Sequence, residues 1–215
     1  MSRVFDCTLP DRRRRGIAAA ADAIAAGRLV VLPTDTVYGL GADAFAPEAV
    51  QRVLQAKGRG REMPVPVLVG SWAGIDGLMT VVPDPVRRLV RAFWPGGLTL
   101  VVEHASTLAW DLGDARGTVA VRMPLHPVAL ELLERTGPLA VSSANVSGQP
   151  PATTAEQAQE QLGEAVAVYL AAAPTESTVP STIVDATATT PRLLRAGAVS
   201  LSALRDVVPD IQEIA

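Results

Sequence analysis

Residues 29–41 read Leu-Val-Val-Leu-Pro-Thr-Asp-Thr-Val-Tyr-Gly-Leu-Gly. The first four form a short continuous apolar run, which is typical of a strand buried on both faces, and Pro33 ends it. Two hydroxyls and one carboxylate follow, from Thr34, Asp35 and Thr36. Because ligands in α/β sheets bind beyond the carboxyl ends of strands, this turn is the first candidate site. The alternative is a turn whose polar side chains only satisfy nearby backbone groups.

Outward from this strand, apolar runs and helical patterns alternate along most of the chain. Further buried strands are predicted at 65–69, 98–102, 118–121, 139–141, 166–170 and 182–184. Helices are predicted over 11–28, where Gly27 ends the helix, and over 46–56, 84–93, 126–135 and 154–162. Thr154 and Gln157 are predicted to form a capping box, and 174–180 an exposed mobile loop. The alternation predicts an α/β fold with a twisted, partly parallel open sheet and helices packed on it.

Length and composition exclude several classes of protein. With 215 residues, 48% of them hydrophobic, the chain can bury one sizeable core, so a single domain over 1–215 is expected. A net charge of -3 does not attract nucleic acid indiscriminately. Cys7 is the only cysteine, which excludes an internal disulfide and a cysteine-based metal site and fits the cytoplasm. The N-terminus lacks an apolar signal segment, so neither secretion nor a membrane span is expected. No metal held by the protein itself is expected either.

Lys57 is the only lysine among 19 basic residues, in the run Lys-Gly-Arg-Gly-Arg over 57–61. Lysine brings a point charge on a thin flexible stem, whereas arginine presents a planar fork. The position therefore indicates a phosphate site. The alternative is an exposed basic loop, punctuated by glycine, with no ligand.

A second polar turn, Ser142 to Gly148, follows the predicted strand 139–141 and carries three hydroxyls and one amide. Such a turn can direct N–H groups at phosphate oxygens. A serine hydrolase is disfavoured because the nucleophile-elbow pattern is absent and only His104 and His126 could serve as base; His126 is expected to cap a helix. The weak dinucleotide pattern over 39–44 starts too far after its strand, and no Walker-type loop exists.

Single polar residues at strand ends complete the set. Arg122, Ser181 and Arg195 each adjoin a predicted strand or apolar run. Together with Lys57 and Arg59 they supply four cations, which suits a substrate with several negative charges, such as a nucleoside triphosphate plus a carboxylate. The run 12–15, all arginine, is either a solvated helix face or a contact to a phosphate backbone.

These segments together resemble the YrdC-like family of L-threonylcarbamoyladenylate synthases, in order and spacing from about Gly27 to Gly197. The matching segments are 33–40, Lys57-x-Arg59, Thr118 to Pro124, Ser143-x-Asn145, Ser181-Thr182 and Leu194-Arg195-x-Gly197. The resemblance implies a YrdC-like fold, one domain with its core at about 11–207, and the single-domain type. It also implies a reaction: L-threonine, bicarbonate and ATP give threonylcarbamoyl-AMP and pyrophosphate, the first step of the N6-threonylcarbamoyladenosine modification of tRNA.

By the same resemblance, each polar residue falls on a position with a role. Lys57 and Arg59 would be catalytic and, with four more residues, would bind ATP: Thr118, Ser143, Asn145 and Arg195. Threonine would be held by Thr34 (as a second-line contact), Thr36, Arg122 and Ser181. Mg²⁺ is expected to accompany ATP, and the expected partners are downstream tRNA threonylcarbamoyl transferase proteins, with a weak contact to tRNA.

The chain departs from the family at two positions. Many members follow the Lys-x-Arg pair with proline and place a histidine in the next strand; here these positions are Gly60 and Leu68. A rival interpretation is a double-stranded RNA or tRNA-binding module without catalysis. RNA binding requires cations spread over a broad face, whereas a synthase requires a few that converge on one pocket. With 22 acids against 19 bases, the synthase is favoured.

Overall fold

The computed structural model describes residues 2–79, 81–175 and 179–213. In this part of the chain one mixed sheet of eleven strands has the order β1-β8-β2-β3-β7-β4-β6-β5-β9-β10-β11. The strands are β1 Arg3–Asp6, β2 Leu29–Leu32, β3 Gly39–Asp43, β4 Val67–Leu68, β5 Leu98–Glu103, β6 Thr118–Arg122, β7 Leu139–Ser143, β8 Val166–Ala171, β9 Thr182–Asp185, β10 Arg192–Arg195 and β11 Gln212–Glu213. The helices are α1 Pro10–Ala25, α2 Pro47–Lys57, α3 Ala73–Leu78, α4 Asp84–Phe93, α5 Pro127–Thr136, α6 Ala155–Leu162 and α7 Leu201–Val207, with a 3₁₀ turn at Gly163–Ala165.

The predicted α/β fold is confirmed. The sheet is partly parallel, because β2 pairs with β8 in parallel and with β3 in the antiparallel sense. All predicted strands and helices exist, with ends shifted by a few residues at most. Gly27 has a φ of +68°, a left-handed conformation that glycine adopts without strain, and it follows the end of α1 as expected.

The turn after β2 is shorter than the sequence indicated, because Gly39–Asp43 is a strand. This strand pairs with β2 on one side and with β7 on the other, so residues 33–38 alone connect β2 to β3. A Cβ on Gly39 would lie 2.6 Å from Cγ1 of Val141, on the neighbouring strand. The glycine therefore permits close side-chain packing across the sheet. Residues 39–43 are a strand of the sheet, which confirms that the weak dinucleotide pattern over 39–44 is not a phosphate-binding loop.

Two apolar clusters lie on the two faces of the sheet. Along β4 the side chains alternate between them, with Val67 in the larger cluster and Leu68 in the smaller one, which α1 and α5 cover. The same alternation places Arg122 on the face of Leu68, since these two residues pair in register on β4 and β6. The sheet thus has helices on both faces.

Several elements were not predicted: β1, β3, β10, β11, α3 and α7. They are short, and both β1 and β11 are half-exposed or exposed, so they lack the continuous apolar run of a buried strand. The predicted loop 174–180 includes 176–178, which lie outside the described residues. Thr154 caps α6 through its Oγ1, which accepts from the Gln157 amide at 3.2 Å. The Gln157 side chain accepts from the amide of Thr153 instead of Thr154, so the capping box is shifted by one residue. Across the described ranges, no helix combines the length and apolarity that a membrane crossing requires.

Candidate active site

The lysine cluster consists of Lys57, Arg59, Ser143, Asn145 and Ser147. It forms where α2 ends, because Gly58 takes a left-handed φ of +63° and the chain turns back toward the end of β7. The amide of Ser147 donates to the carbonyl oxygen of Lys57 at 2.9 Å, and Nε of Arg59 donates to Oγ of Ser147 at 2.9 Å. Two turns that are far apart in sequence therefore form one unit.

Lys57 is fully buried, with 0% of its surface exposed, so the alternative of an exposed basic loop is wrong for this residue. It is the last residue of α2, and its side chain runs beneath the turn after β7. Nζ donates to the carbonyl oxygens of Ser143 and Asn145 at 2.5 and 2.8 Å. Two side-chain oxygens of the same residues lie at 3.4 and 3.3 Å.

The electrostatic environment of Lys57 disfavours its charge. Among the described residues, the four oxygens that accept hydrogen bonds from Nζ are all neutral. Burial is the main cause that lowers the pKa of Lys57 to about 7, and the neighbouring guanidinium of Arg59 acts in the same direction. Arg59 itself is partly exposed, so it is the cation of this cluster that a ligand can reach.

The arginine cluster consists of Thr34, Asp35, Thr36 and Arg122. Arg122 ends β6 and is 6% exposed. Its Nη2 donates to Oδ1 of Asp35 at 2.6 Å, its Nη1 donates to Oγ1 of Thr36 at 2.8 Å and its Nε donates to the carbonyl oxygen of Gly96 at 2.9 Å. Burial lowers the pKa of Arg122, and the Asp35 carboxylate opposes that shift. Of the five N–H groups of a guanidinium, two remain beyond these contacts.

The hydroxyl hydrogens in this cluster have fixed directions. Thr34 donates its hydrogen to the carbonyl oxygen of Val37 at 2.7 Å. The hydrogen between Thr34 and Thr36, whose Oγ1 atoms are 3.1 Å apart, must therefore come from Thr36. Since Thr36 also accepts from Arg122, its oxygen retains one lone pair and no hydrogen for a ligand. Thr36 can accept a hydrogen bond from a substrate but cannot donate one.

A third group surrounds Ser181. Its Oγ lies 2.8 Å from Oγ1 of Thr99 and accepts from Nη2 of Arg195 at 3.1 Å, while its carbonyl oxygen accepts twice from the same guanidinium. Burial lowers the pKa of Arg195, and the positive charge of Arg122 lowers it further. The two guanidinium groups are therefore close enough to repel each other.

Main-chain contacts join the three groups. Ser143 pairs with Gly39 across β7 and β3, and the amide of Ala144 donates to the carbonyl oxygen of Tyr38 at 2.8 Å, which connects the lysine cluster to the turn 33–38. The amide of Thr182 donates to the carbonyl oxygen of Gly97 at 2.9 Å, next to the Gly96 oxygen that Arg122 contacts. These contacts thus link every predicted site residue except one.

Thr118 is the exception. Its Oγ1 donates to the carbonyl oxygen of Ala115 at 2.7 Å, and it begins the strand that Arg122 ends. Four residues of strand separate the two, which is about 13 Å. Both side chains lie on the same face of the sheet, because residues i and i+4 of a strand do.

Sequence reasoning gave Asp35 no role of its own and missed Thr99. Thr99 is a buried polar residue inside the apolar run of β5, and a buried hydroxyl needs a partner, which was the available signal. His126 caps α5, as predicted, because its Nδ1 accepts from the amide of Val128 at 3.2 Å; burial lowers its pKa. In the run 12–15, Arg13 pairs with Glu131 and Arg14 with Asp11.

Comparisons with known proteins identify the family of this chain. The family model Sua5_yciO_yrdC, whose description reads "Telomere recombination", matches residues 22–197. The chain belongs to the Sua5/YciO/YrdC family. A Mycobacterium tuberculosis protein named "Putative threonylcarbamoyl-AMP synthase" is 62% identical over 97% of this chain and 96% of its own. The Pyrococcus abyssi threonylcarbamoyl-AMP synthase is 38% identical over 91% of this chain and 58% of its own.

Solved structures of the family agree with the fold. The crystal structure of P. abyssi Sua5 complexed with L-threonine is 37% identical with a TM-score of 0.88, and covers 92% of this chain and 58% of that one. A P. abyssi Sua5 variant gives a TM-score of 0.94 at 35% identity over 100% of this chain and 62% of that one. Escherichia coli YciO, at 23% identity and a TM-score of 0.83, shows the shared fold alone.

Proposed function

We propose that this chain is an L-threonylcarbamoyladenylate synthase. The reaction joins L-threonine, bicarbonate and ATP and releases threonylcarbamoyl-AMP, pyrophosphate and water. The observation that carries the proposal is the position of the cations at the strand ends: Lys57 and Arg59 contact the turn after β7, Arg122 pairs with the Asp35 carboxylate in the turn before β3, and Arg195 contacts Ser181 just before β9. The near-full-length relative with 62% identity bears the matching name.

Threonine would occupy the arginine cluster and the neighbourhood of Ser181. The two remaining N–H groups of Arg122 suit the carboxylate of an amino acid, since a guanidinium pairs with a carboxylate through two parallel hydrogen bonds. Thr36 offers a lone pair and no hydrogen, which suits the amine or hydroxyl of threonine. Thr34 would support this contact from the second layer, because its Oγ1 accepts the hydroxyl hydrogen of Thr36. Leu68, which pairs with Arg122, stands where many family members have a histidine. This side of the threonine site would therefore be apolar.

ATP would be held by the lysine cluster, Arg195 and Thr118. Arg59 is partly exposed and stabilises the charge that develops on phosphate oxygens when pyrophosphate leaves. Ser143 offers a hydroxyl beside it, whereas the side-chain amide of Asn145 donates to the carbonyl oxygens of Val146 and Gln149. Arg195, which contacts Ser181, would connect the nucleotide to the threonine half of the site. Thr118 would reach the nucleotide from the far end of β6. The ammonium of Lys57 contacts the turn at 143–145.

The chemistry is a transfer of the adenylyl group to a carboxylate. The threonine amine adds to bicarbonate or CO₂, and the resulting N-carboxylate attacks the α-phosphorus while the bond to pyrophosphate breaks. Positioning and charge stabilisation carry this reaction without a covalent enzyme intermediate. Mg²⁺ would neutralise charge on the triphosphate. In the described part of the chain no group of three or more His, Cys, Asp or Glu could hold a metal, so the ion would be bound chiefly by phosphate oxygens and water.

The product is a reactive mixed anhydride, so a transferase that delivers it to tRNA in the cytoplasm is the expected next partner. A weak contact of this chain with tRNA belongs to the same proposal. An RNA-binding module without catalysis is the competing function, and its binding would fall steeply with salt.

The test is threonine-dependent release of pyrophosphate. The pure protein is incubated with ATP, Mg²⁺ and bicarbonate, with and without L-threonine. We expect pyrophosphate only with threonine and bicarbonate both present, and [¹⁴C]bicarbonate in a product that also contains AMP. Release that does not depend on threonine would overturn the assignment, and salt-sensitive RNA binding without turnover would favour the competing function.

A further inference from the structure

Lys57 is the one lysine in a chain that uses arginine at all of its other basic positions. Its side chain is completely buried, and its ammonium is surrounded by four oxygens of Ser143 and Asn145 within 3.4 Å. An ammonium has three hydrogens, so these oxygens take all of them. A phosphate would have to displace the turn before it could contact Nζ.

We propose that Lys57 is a positioning residue, which folds the turn at 143–147 and does not itself contact phosphate. The proposal rests on the proposed function, because it states how the ATP half of that site is built. Lys57 contacts the turn through its side chain and its main chain. Nζ donates to Ser143 and Asn145, and the carbonyl oxygen of Lys57 accepts from the amide of Ser147. These contacts fix the hydroxyl of Ser143 and the amide of Asn145 relative to Arg59.

The acceptor geometry explains why lysine stands here. The carbonyl oxygens of residues 143 and 145 both lie within hydrogen-bond distance of Nζ, and the tetrahedral ammonium can donate to both. A guanidinium is larger and planar, and its N–H groups form a fixed fork. In a fully buried pocket that shape would push the turn outward. Arg59, partly exposed and bound to Ser147, remains available for the phosphates.

The experiment compares the activities of two variants. A positioning role and a direct phosphate contact predict opposite orders of activity for them. Lys57→Gln supplies two N–H donors on a side chain that is one atom shorter and loses the charge, whereas Lys57→Arg keeps the charge but is larger. Positioning predicts that Lys57→Gln retains about tenfold more kcat/KM for ATP than Lys57→Arg. A direct phosphate contact predicts the reverse, because arginine binds phosphate well. Arg52→Gln, at a half-exposed arginine on the same helix, is the control and keeps wild-type values.

Hydrogen exchange of the ligand-free protein gives a readout that does not need activity. In Lys57→Arg we expect the amides at 144–147 to exchange about tenfold faster than in wild type, and in Lys57→Gln much less so, while the amides of β8 keep their protection. Lys57→Met, which fills the space without donors, replaces Lys57→Arg if that variant does not fold. Unchanged exchange in the turn would overturn the proposal. If the wild type releases no pyrophosphate with threonine, the proposed function fails, and the exchange data still decide the role of Lys57.

Discussion

Two buried cations lie in this site, and the chain holds them in different ways. Arg122 is paired with a carboxylate, that of Asp35, at 2.6 Å. The ammonium of Lys57 donates only to neutral oxygens among the described residues. The carboxylate opposes the loss of charge on Arg122, whereas nothing comparable protects the charge of Lys57, whose pKa burial lowers to about 7.

The difference separates two tasks. An ion pair with free N–H groups can accept a second carboxylate and suits substrate binding, although Asp35 competes for the same guanidinium. An ammonium enclosed by main-chain oxygens has no free hydrogens and suits the fixing of a turn. A buried position and a positive charge therefore do not by themselves identify a ligand-binding residue; the partners do.

Loss of stability should be the largest effect, and it should differ between the two cations. Arg122→Ala leaves the mostly buried carboxylate of Asp35 without a counter-ion, so we expect the free energy of unfolding to fall by about 3–5 kcal/mol. Lys57→Met leaves only neutral oxygens unsatisfied, so about 1–3 kcal/mol is expected. Urea unfolding of both variants measures this. A larger loss for Lys57→Met would contradict the comparison.

Removal of the counter-ion charge alone should change the KM for threonine. In Asp35→Asn the amide can still accept from Arg122 and from the amide of Leu125, which both contact Oδ1, but the charge is gone. We expect the KM for threonine to change by about 5–30-fold, which corresponds to about 1–2 kcal/mol, with the KM for ATP nearly constant. Asp84→Asn, which loses an exposed pair with Arg88, serves as the control. Equal changes for both substrates would mean that Asp35 supports the fold in general.

Gly197 tests whether Ser181 belongs with the arginine cluster. A Cβ at Gly197 would collide with the carbonyl oxygen of Pro180 and the amide nitrogen of Thr182, which are backbone atoms that flank Ser181. Gly197→Ala should therefore displace Ser181 and raise the KM for threonine about tenfold, at a cost of about 1–3 kcal/mol in stability. Gly77→Ala is the matched control, because its Cβ would meet no atom within 4 Å. An unchanged KM would exclude Ser181 from the threonine half.

The pH dependence of stability is the most specific signature. The pKa of Lys57 falls from 10.5 to about 7 on folding, so the unfolded chain binds more protons between these pH values. Stability therefore rises with pH across this window, and the contribution is lost as pH falls through 7. We expect the unfolding free energy of wild type minus that of Lys57→Met to increase from pH 7 to pH 10. A constant difference would mean that the ammonium keeps its charge.

The sequence predicted the sheet well because buried strands carry apolar runs that are readable without the fold. It failed at Gly39–Asp43, whose small residues carry no strand pattern and are explained only by Val141 on the neighbouring strand. It left an exposed loop open as an alternative for Lys57, because the run 57–61 is polar and rich in glycine. The burial of Lys57 comes from residues 143–147, about 90 positions later, and no local pattern contains that contact.

The residue types of the site were predictable, but their partners were not. Asp35 adjoins two threonines in the sequence, yet its role follows from Arg122, which arrives on a distant strand. The hydrogen direction at Thr36 likewise depends on three separate contacts. Such roles depend on geometry, which composition and spacing leave open.

The most direct test of the division of labour is a pair of calorimetric titrations on Arg122→Lys. This variant keeps a positive charge for Asp35 but loses the fork that would bind a carboxylate. We predict that threonine affinity falls about 10–150-fold, as expected for a lost hydrogen bond to a charged group, while the affinity for a non-hydrolysable ATP analogue stays within about threefold. Equal weakening of both ligands, or a greater loss for the nucleotide, would contradict the account.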